Sequence, residues 1–163
     1  MSVGKRRIAH GPRLTGPNPE RPEVLIRLTY ASRSKGMLGA VDVKDIIRIS
    51  QRNNAALGVT GALLLVNGVF LQCLEGSSAA VNTLYHRIAL DPRHHQTSIL
   101  AFAEIDRRCF GGWSMGLVPA LGENLDLLKA YSPGPDFDPF AMRPSALDTL
   151  FSELVSRARV LSD

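Results

Sequence analysis

The sequence predicts an α+β protein, a ferredoxin-like split βαβ sandwich with a C-terminal helical extension. Three observations point there. Alternating and helical apolar patterns follow one another in the order β-α-β-β-α-β-β. An Asn67-Gly68 pair sits between two β-rich runs, the sequence of a two-residue type I′ hairpin. Both helical segments carry one apolar stripe each, as helices lying on a single sheet face require.

The first strand is Val24 to Ser32, "VLIRLTYAS", which alternates and is rich in β-formers. The first helix spans Val41 to Leu57, with Asp42 expected as N-cap and Gly58 as its stop. Its stripe of Val43, Ile46 and Ile47 turns polar on reaching Ser50 and Asn54. "TGALLLV" and "VFLQCL" form the hairpin, so that Leu63 faces Gln72 and Leu65 faces Phe70. A second helix runs from Ser77 or Ser78 to Leu90, with Val81, Leu84, Tyr85 and Ile88 inward and Asp91-Pro92 ending it. "TSILAFAEI" is the fourth strand and "WSMGLVP" a short fifth. Beyond Pro119 come a short helix over Glu123–Tyr131, a linker "SPGPDFDPF", and an amphipathic helix over Ser145–Leu161. The apolar face of that last helix must rest on the open sheet face, a second copy or a partner, which raises the expectation of a homo-oligomer.

Composition excludes several classes. With 163 residues, 45% hydrophobic and 21% charged, the chain suits one soluble domain with appendages. No apolar run nears the roughly 18 residues of a membrane span, and the start lacks the apolar segment of an export signal, so a cytoplasmic, membrane-free protein is expected. Residues 1–22 carry five basic side chains against Glu20, which accounts for the whole net charge of +4. Four prolines and no periodicity make them a disordered basic leader rather than a nucleic-acid contact. Residues 23–119 are then the folded domain and 120–163 a helical cap for oligomerisation or output. Cys73 and Cys109 have no metal or redox spacing, and His94-His95 are adjacent and so bind a metal poorly. No phosphate loop, zinc motif or nucleophile elbow is present, and no metal is expected.

What remains is polar side chains where the fold buries them. Gln72 follows Phe70 on one face of the third strand, and an unpaired buried carboxamide costs about 1–3 kcal/mol. The first and third strands are central neighbours in a split βαβ, so the Tyr30 hydroxyl is the natural partner. A core network that satisfies only itself is the simplest account of each residue alone. Asn53 and Asn54, weak helix formers beside that network, point to something polar held between the helices.

"RLTYAS", "ISQRNNAALGVTGALLLVNGVFLQCLEG", "RIALDPRHH" and "RRCFGGWSMG" resemble the successive motifs of the BLUF domain, a blue-light sensor using flavin adenine dinucleotide. The likeness covers about residues 24–117, with 24 positions from Tyr30 to Asn54, 18 on to Gln72 and 41 on to Trp113. It implies noncovalent FAD between the two helices, with FMN or riboflavin as substitutes. Tyr30 would be the electron and proton donor and Gln72 its bridge to the ring. Asn54, Asn53 and Ser32 would join the binding set, Ile46 would pack on the ring face, and Arg87 and Asp91 would lie at the pyrimidine side. Arg93 and His94 would lie near the ring edge or phosphate chain, and Trp113 and Met115 on the fifth strand would relay the signal to an unidentified protein partner. No net turnover is implied. Two alternatives use the same residues: a light-insensitive flavin or nucleotide module, and a small acylphosphatase-like enzyme using Arg87 or Arg93 with Asn54.

Overall fold

A computed structural model of the chain describes residues 23–162, with side chains described as far as residue 158. The expected leader lies outside the described residues. The elements are β1 (Leu25–Ser34), α1 (Ala40–Leu57), β2 (Thr60–Val66), β3 (Val69–Ser77), α2 (Ser78–Ala89), β4 (His94–Glu104), β5 (Gly116–Leu117), α3 (Gly122–Tyr131), a 3-10 turn (Pro139–Ala141) and α4 (Pro144–Ser162).

The five strands form one sheet in the order β4-β1-β3-β2-β5. The first four pair antiparallel, as a ferredoxin-like split βαβ requires, and β5 joins β2 in parallel. Asn67 (φ 48°) and Gly68 (φ 77°) turn the hairpin with both residues left-handed. The predicted register follows: Val66 faces Val69, Leu65 faces Phe70 and Leu63 faces Gln72. Gly61 is needed for a different reason. A Cβ there would sit 2.0 Å from the Cys73 carbonyl oxygen, a backbone atom of the neighbouring strand. Gly61→Ala therefore forces β2 and β3 apart and should cost about 1–3 kcal/mol in urea unfolding; wild-type stability would contradict this packing.

Helix starts and stops are set locally. Ser77 caps α2, its hydroxyl accepting from the Ala80 N–H at 3.1 Å. At α1 the expected cap is corrected. Gly39 occupies the N-cap, and Asp42, three residues into the helix, accepts from the Gly39 N–H at 2.8 Å. An acidic residue suits either place, because free N–H groups fill the whole first turn. Gly58 ends α1 in the left-handed region, as expected.

Each face of the sheet carries its own core. Leu28, Tyr30, Leu63, Phe70 and Leu74 pack under Ile46 and Ile47 of α1 and Val81 and Leu84 of α2. On the other face Ala31, Ala62, Leu64, Leu71 and Cys73 meet Leu128 of α3 and Leu147, Leu150, Phe151 and Leu154 of α4. Each such aliphatic side chain contributes about 1.5–3 kcal/mol when withdrawn from water. As far as Val155, the stripe that raised the expectation of self-association is thus covered by the chain's own sheet. The Tyr131 hydroxyl donates to Glu153 and ties α3 to α4.

The fifth strand is shorter than predicted, and this moves two of the singled-out residues. Gly61 N–H donates to the Trp113 carbonyl at 3.0 Å, and regular pairing with β2 resumes only at Gly116. Ser114 and Met115 loop out between these points, so Trp113 and Met115 precede β5 rather than lie on it. Their excursion is held by α1: Asn54 Nδ2 donates to Ser114 O at 2.7 Å and Gln51 Nε2 to Met115 O at 3.1 Å.

Candidate functional site

Between α1, α2 and the sheet lies a cleft of about 740 Å³, counting open space at its mouth. Its walls are apolar, with Ile46 and Ile49 from α1, Leu63 and Phe70 from the hairpin, and Leu84 and Ile88 from α2. Polar groups enter at a few points: Tyr30, Gln72, Asn53, Asn54 and Ser50 inside, Arg87, Asp91, Arg93 and His94 toward the end of α2 and the start of β4. An apolar slot with few converging polar groups is the usual form of a cofactor site.

Tyr30 and Gln72 stand directly opposite each other on β1 and β3. The Tyr30 hydroxyl donates to Gln72 Oε1, and Gln72 Nε2 in turn donates to the Met115 sulfur at 3.3 Å. Tyr30, Gln72 and Met115 are 3%, 4% and 2% exposed, so this relay is shielded from water except through the cleft. Burial pushes the Tyr30 phenol far above its ordinary value, which keeps it protonated throughout the physiological range. Tyr85 stands edge-on to Tyr30 with ring centroids 5.5 Å apart and holds its orientation.

The two asparagines face differently because successive helix residues turn by about 100°. Asn53 lines the cleft beside Ile46, Ile49 and Ser50. Asn54, 1% exposed, spends one N–H on Ser114 O while also lining the cleft. It is at once a wall of the cleft and an anchor of the Trp113–Met115 loop.

Asp91 and Arg93 pair across two residues, Arg93 Nε lying 3.0 Å from both carboxylate oxygens. The Arg93 guanidinium holds the Asp91 carboxyl below the usual carboxylate range, and Asp91 raises Arg93 in return. Arg87 has no ion-pair partner among the described residues and is exposed beside the cleft. His94 is fixed on both sides: one ring nitrogen faces the Ile88 carbonyl, which can only accept, and the other lies 2.7 Å from Ser32 Oγ. In the neutral ring, Nε2–H donates to Ile88 and Nδ1 accepts from Ser32. Ser32 is therefore a buried support for His94 rather than part of the cleft wall.

Of the residues singled out in the sequence, Tyr30, Ile46, Asn53, Asn54, Gln72, Arg87, Asp91, Arg93 and His94 all line this one cleft. Met115 reaches it through Gln72. Trp113 does not; its half-buried indole lies across Gly116, where a Cβ would meet Trp113 Cε3 at 2.6 Å, and 6.1 Å from the Phe110 ring. Ile49, Phe70, Leu84 and Ile88 were not singled out as site residues, although the helical and strand periods place them beside residues that were. Gln51 was also missed, and its spacing from Ile47 and Asn54 is the signal for it.

The donor set suits a planar aromatic heterocycle with a carbonyl and imide edge. Apolar faces can sandwich the ring, carboxamides can meet both donors and acceptors, and cations stand where an anionic tail would leave. A flavin fits that description.

The comparisons agree. The family model of sensors of blue light using FAD matches residues 25–116. Photoactivated adenylate cyclase subunit beta of Euglena longa is 41% identical over 86 residues, covering 53% of this chain and 10% of that protein. Subunit alpha of Euglena gracilis is 40% identical over 87 residues, 53% of this chain and 8% of that protein. The chain thus spans about a tenth of the curated relatives it matches. Among solved structures, BlsA in its photo-activated state superposes with a TM-score of 0.73 at 28% identity, covering 80% of this chain and 94% of that one. Dark-state BlrB, a BLUF protein, gives 0.68 at 29%, covering 83% and 98%. With more than half of its length matched by that model, the fold shared with BlrB and the apolar, sparsely polar cleft in place, the chain belongs to the BLUF family of blue-light sensors.

Proposed function

We propose that this chain is a blue-light receptor that holds FAD noncovalently in the cleft and passes its state to another protein by contact. The observation that carries this is the buried relay from the Tyr30 hydroxyl through the Gln72 carboxamide to the Met115 sulfur, set in the cleft wall. FMN or riboflavin would fill the ring site equally, since the residues that suit the ring lie inside and the cations lie near the mouth.

Bound there, a flavin supplies blue absorption and, once excited, a strong one-electron oxidant. Tyr30 is the residue placed to give up an electron, and its proton already has an acceptor at Gln72 Oε1. Gln72 suits the task because its two ends differ. Turned over, or converted to the imidic tautomer, it exchanges donor for acceptor toward its neighbours without moving the backbone. A turned amide presents oxygen instead of N–H to the Met115 sulfur, removing that hydrogen bond and loosening the Ser114–Met115 loop. Electron and proton return in the dark, so the cycle has no net turnover.

Asn53 and Asn54 would orient the ring edge, Ile46 its face, and Arg87 the pyrimidine side, with Arg93 and His94 toward the ring edge or the anionic tail. Arg93 is held by Asp91, which weakens the alternative of a phosphate-processing enzyme that needs it free. Residues 23–119 are the light-sensing unit in this account and 120–163 the cap through which a change leaves. A light-driven difference of about 1–3 kcal/mol in affinity for a protein partner would be typical.

An absorption spectrum of the purified protein, before and after blue light, tests the reading. Flavin bands that shift slightly to the red, do not bleach and recover in the dark are expected. Colourless protein that refuses added FAD would refute it, and bound flavin with unmoving bands would favour the light-insensitive module.

A further inference from the structure

The loop between β4 and β5 is held at its two ends by unlike chemistry. At the cleft end the carbonyls of Ser114 and Met115 accept from the neutral amides of Asn54 and Gln51, and the Met115 sulfur accepts from Gln72. At the far end a carboxylate does the holding. Glu75, wholly buried, lies three residues beyond Gln72 on β3 and so on the opposite sheet face. It accepts from the backbone N–H groups of Cys109 and Phe110, both at 3.0 Å. Arg27 on β1 neutralises it, with Nε donating at 2.9 Å. Arg108 reinforces the same end, donating to the carbonyls of Glu75 and Gly58.

Two further contacts lead from this end to α4. Arg27 Nη1 lies 3.8 Å from Asp148 Oδ1. The Phe110 ring, next to the anchored N–H, meets Phe151 edge-on at 5.8 Å.

A buried carboxylate is costly unless paired and hydrogen-bonded, and once satisfied its charge-assisted bonds are roughly twice as strong as neutral ones. A disturbance of Gln72 therefore moves the cleft end of the loop first, while the Glu75 end is held in place and can only turn about its anchored N–H groups. We propose that Glu75 is a positioning residue, the pivot of the 109–115 loop, by which movement at Met115 is delivered to α4 through the Phe110–Phe151 and Arg27–Asp148 contacts. This rests on the blue-light reading of the cleft.

Hydrogen exchange on the flavin-loaded full chain, in darkness and under continuous blue light, tests it, with absorption recorded on the same samples. In the wild type, light should alter exchange both in residues 106–118 and in residues 145–155. In Glu75→Gln, which removes the charge at nearly constant shape, the absorption shift and the light effect at 106–118 should persist. The effect at 145–155 should fall about fivefold, the scale of one lost hydrogen bond. An undiminished α4 effect in this variant overturns the pivot, as does a wild-type light effect confined to 106–118. A wild type without any absorption shift sinks the underlying reading instead, a separate failure visible in the spectrum alone. Should Glu75→Gln fail to fold, Asp148→Asn at a half-exposed position serves: a weakened α4 effect with the shift intact supports the pivot, and an unchanged one overturns it.

Discussion

Gln72→Leu protein should emerge yellow and flavin-loaded, with absorption bands that no longer move under blue light. Leucine nearly matches glutamine in bulk, so the apolar walls of the cleft survive while the relay between Tyr30 and Met115 is cut. Tyr30→Phe removes the same relay from its other end and loses the donor as well. The ring volume and the edge-on contact with Tyr85 are kept, so flavin binding should again persist. Illuminated spectra of both variants check this. A full light-induced shift in Tyr30→Phe would show that Tyr30 is not the donor, and one in Gln72→Leu would show that the amide is not the switch.

Asn54→Ala should weaken flavin retention by roughly 5- to 150-fold in Kd, the equivalent of about 1–3 kcal/mol. Two losses combine. The cleft forfeits a carboxamide, and the Ser114 carbonyl forfeits the donor that holds the loop outside regular β5 pairing. Equilibrium dialysis against FAD measures the first. Faster amide exchange in the Ser114–Met115 segment of the dark protein would report the second. Unchanged affinity would remove Asn54 from the binding set.

Much of this site is legible in the sequence because it depends on short-range geometry. Asn67-Gly68 dictates a turn, the turn fixes the hairpin register, and the register sets Leu63 against Gln72. The split βαβ order then brings β1 beside β3, and Tyr30 falls opposite Gln72. The polar end of the α1 stripe is equally local, since it needs only the helical period.

Other features depend on partners far away in the chain. Whether Trp113 lies on a strand or before one is decided by Asn54 and Gln51, whose side chains take the Ser114 and Met115 carbonyls that a strand would otherwise use. Nothing in "WSMGLVP" reveals that. Glu75 looks like the end of a strand, yet it is buried within β3 because Arg27, Cys109 and Phe110 satisfy it from 34 to 48 positions away. The early start of β4 is hidden differently. Its ladder with β1 shifts register between Ser98 and His95, where Gln96 has φ 54°, so the alternation expected of a strand is broken before Thr97.

In the proposed photocycle the Gln72 carboxamide reverses its hydrogen-bonding sense between Tyr30 and Met115 when light is absorbed. Light-minus-dark infrared difference spectra of protein with isotope-labelled glutamine side chains, with Gln72→Leu as the blank, test it most directly. Label-sensitive amide bands should appear on illumination, decay together with the red shift, and be missing from the variant. A full red shift with no label-sensitive glutamine band would contradict the account.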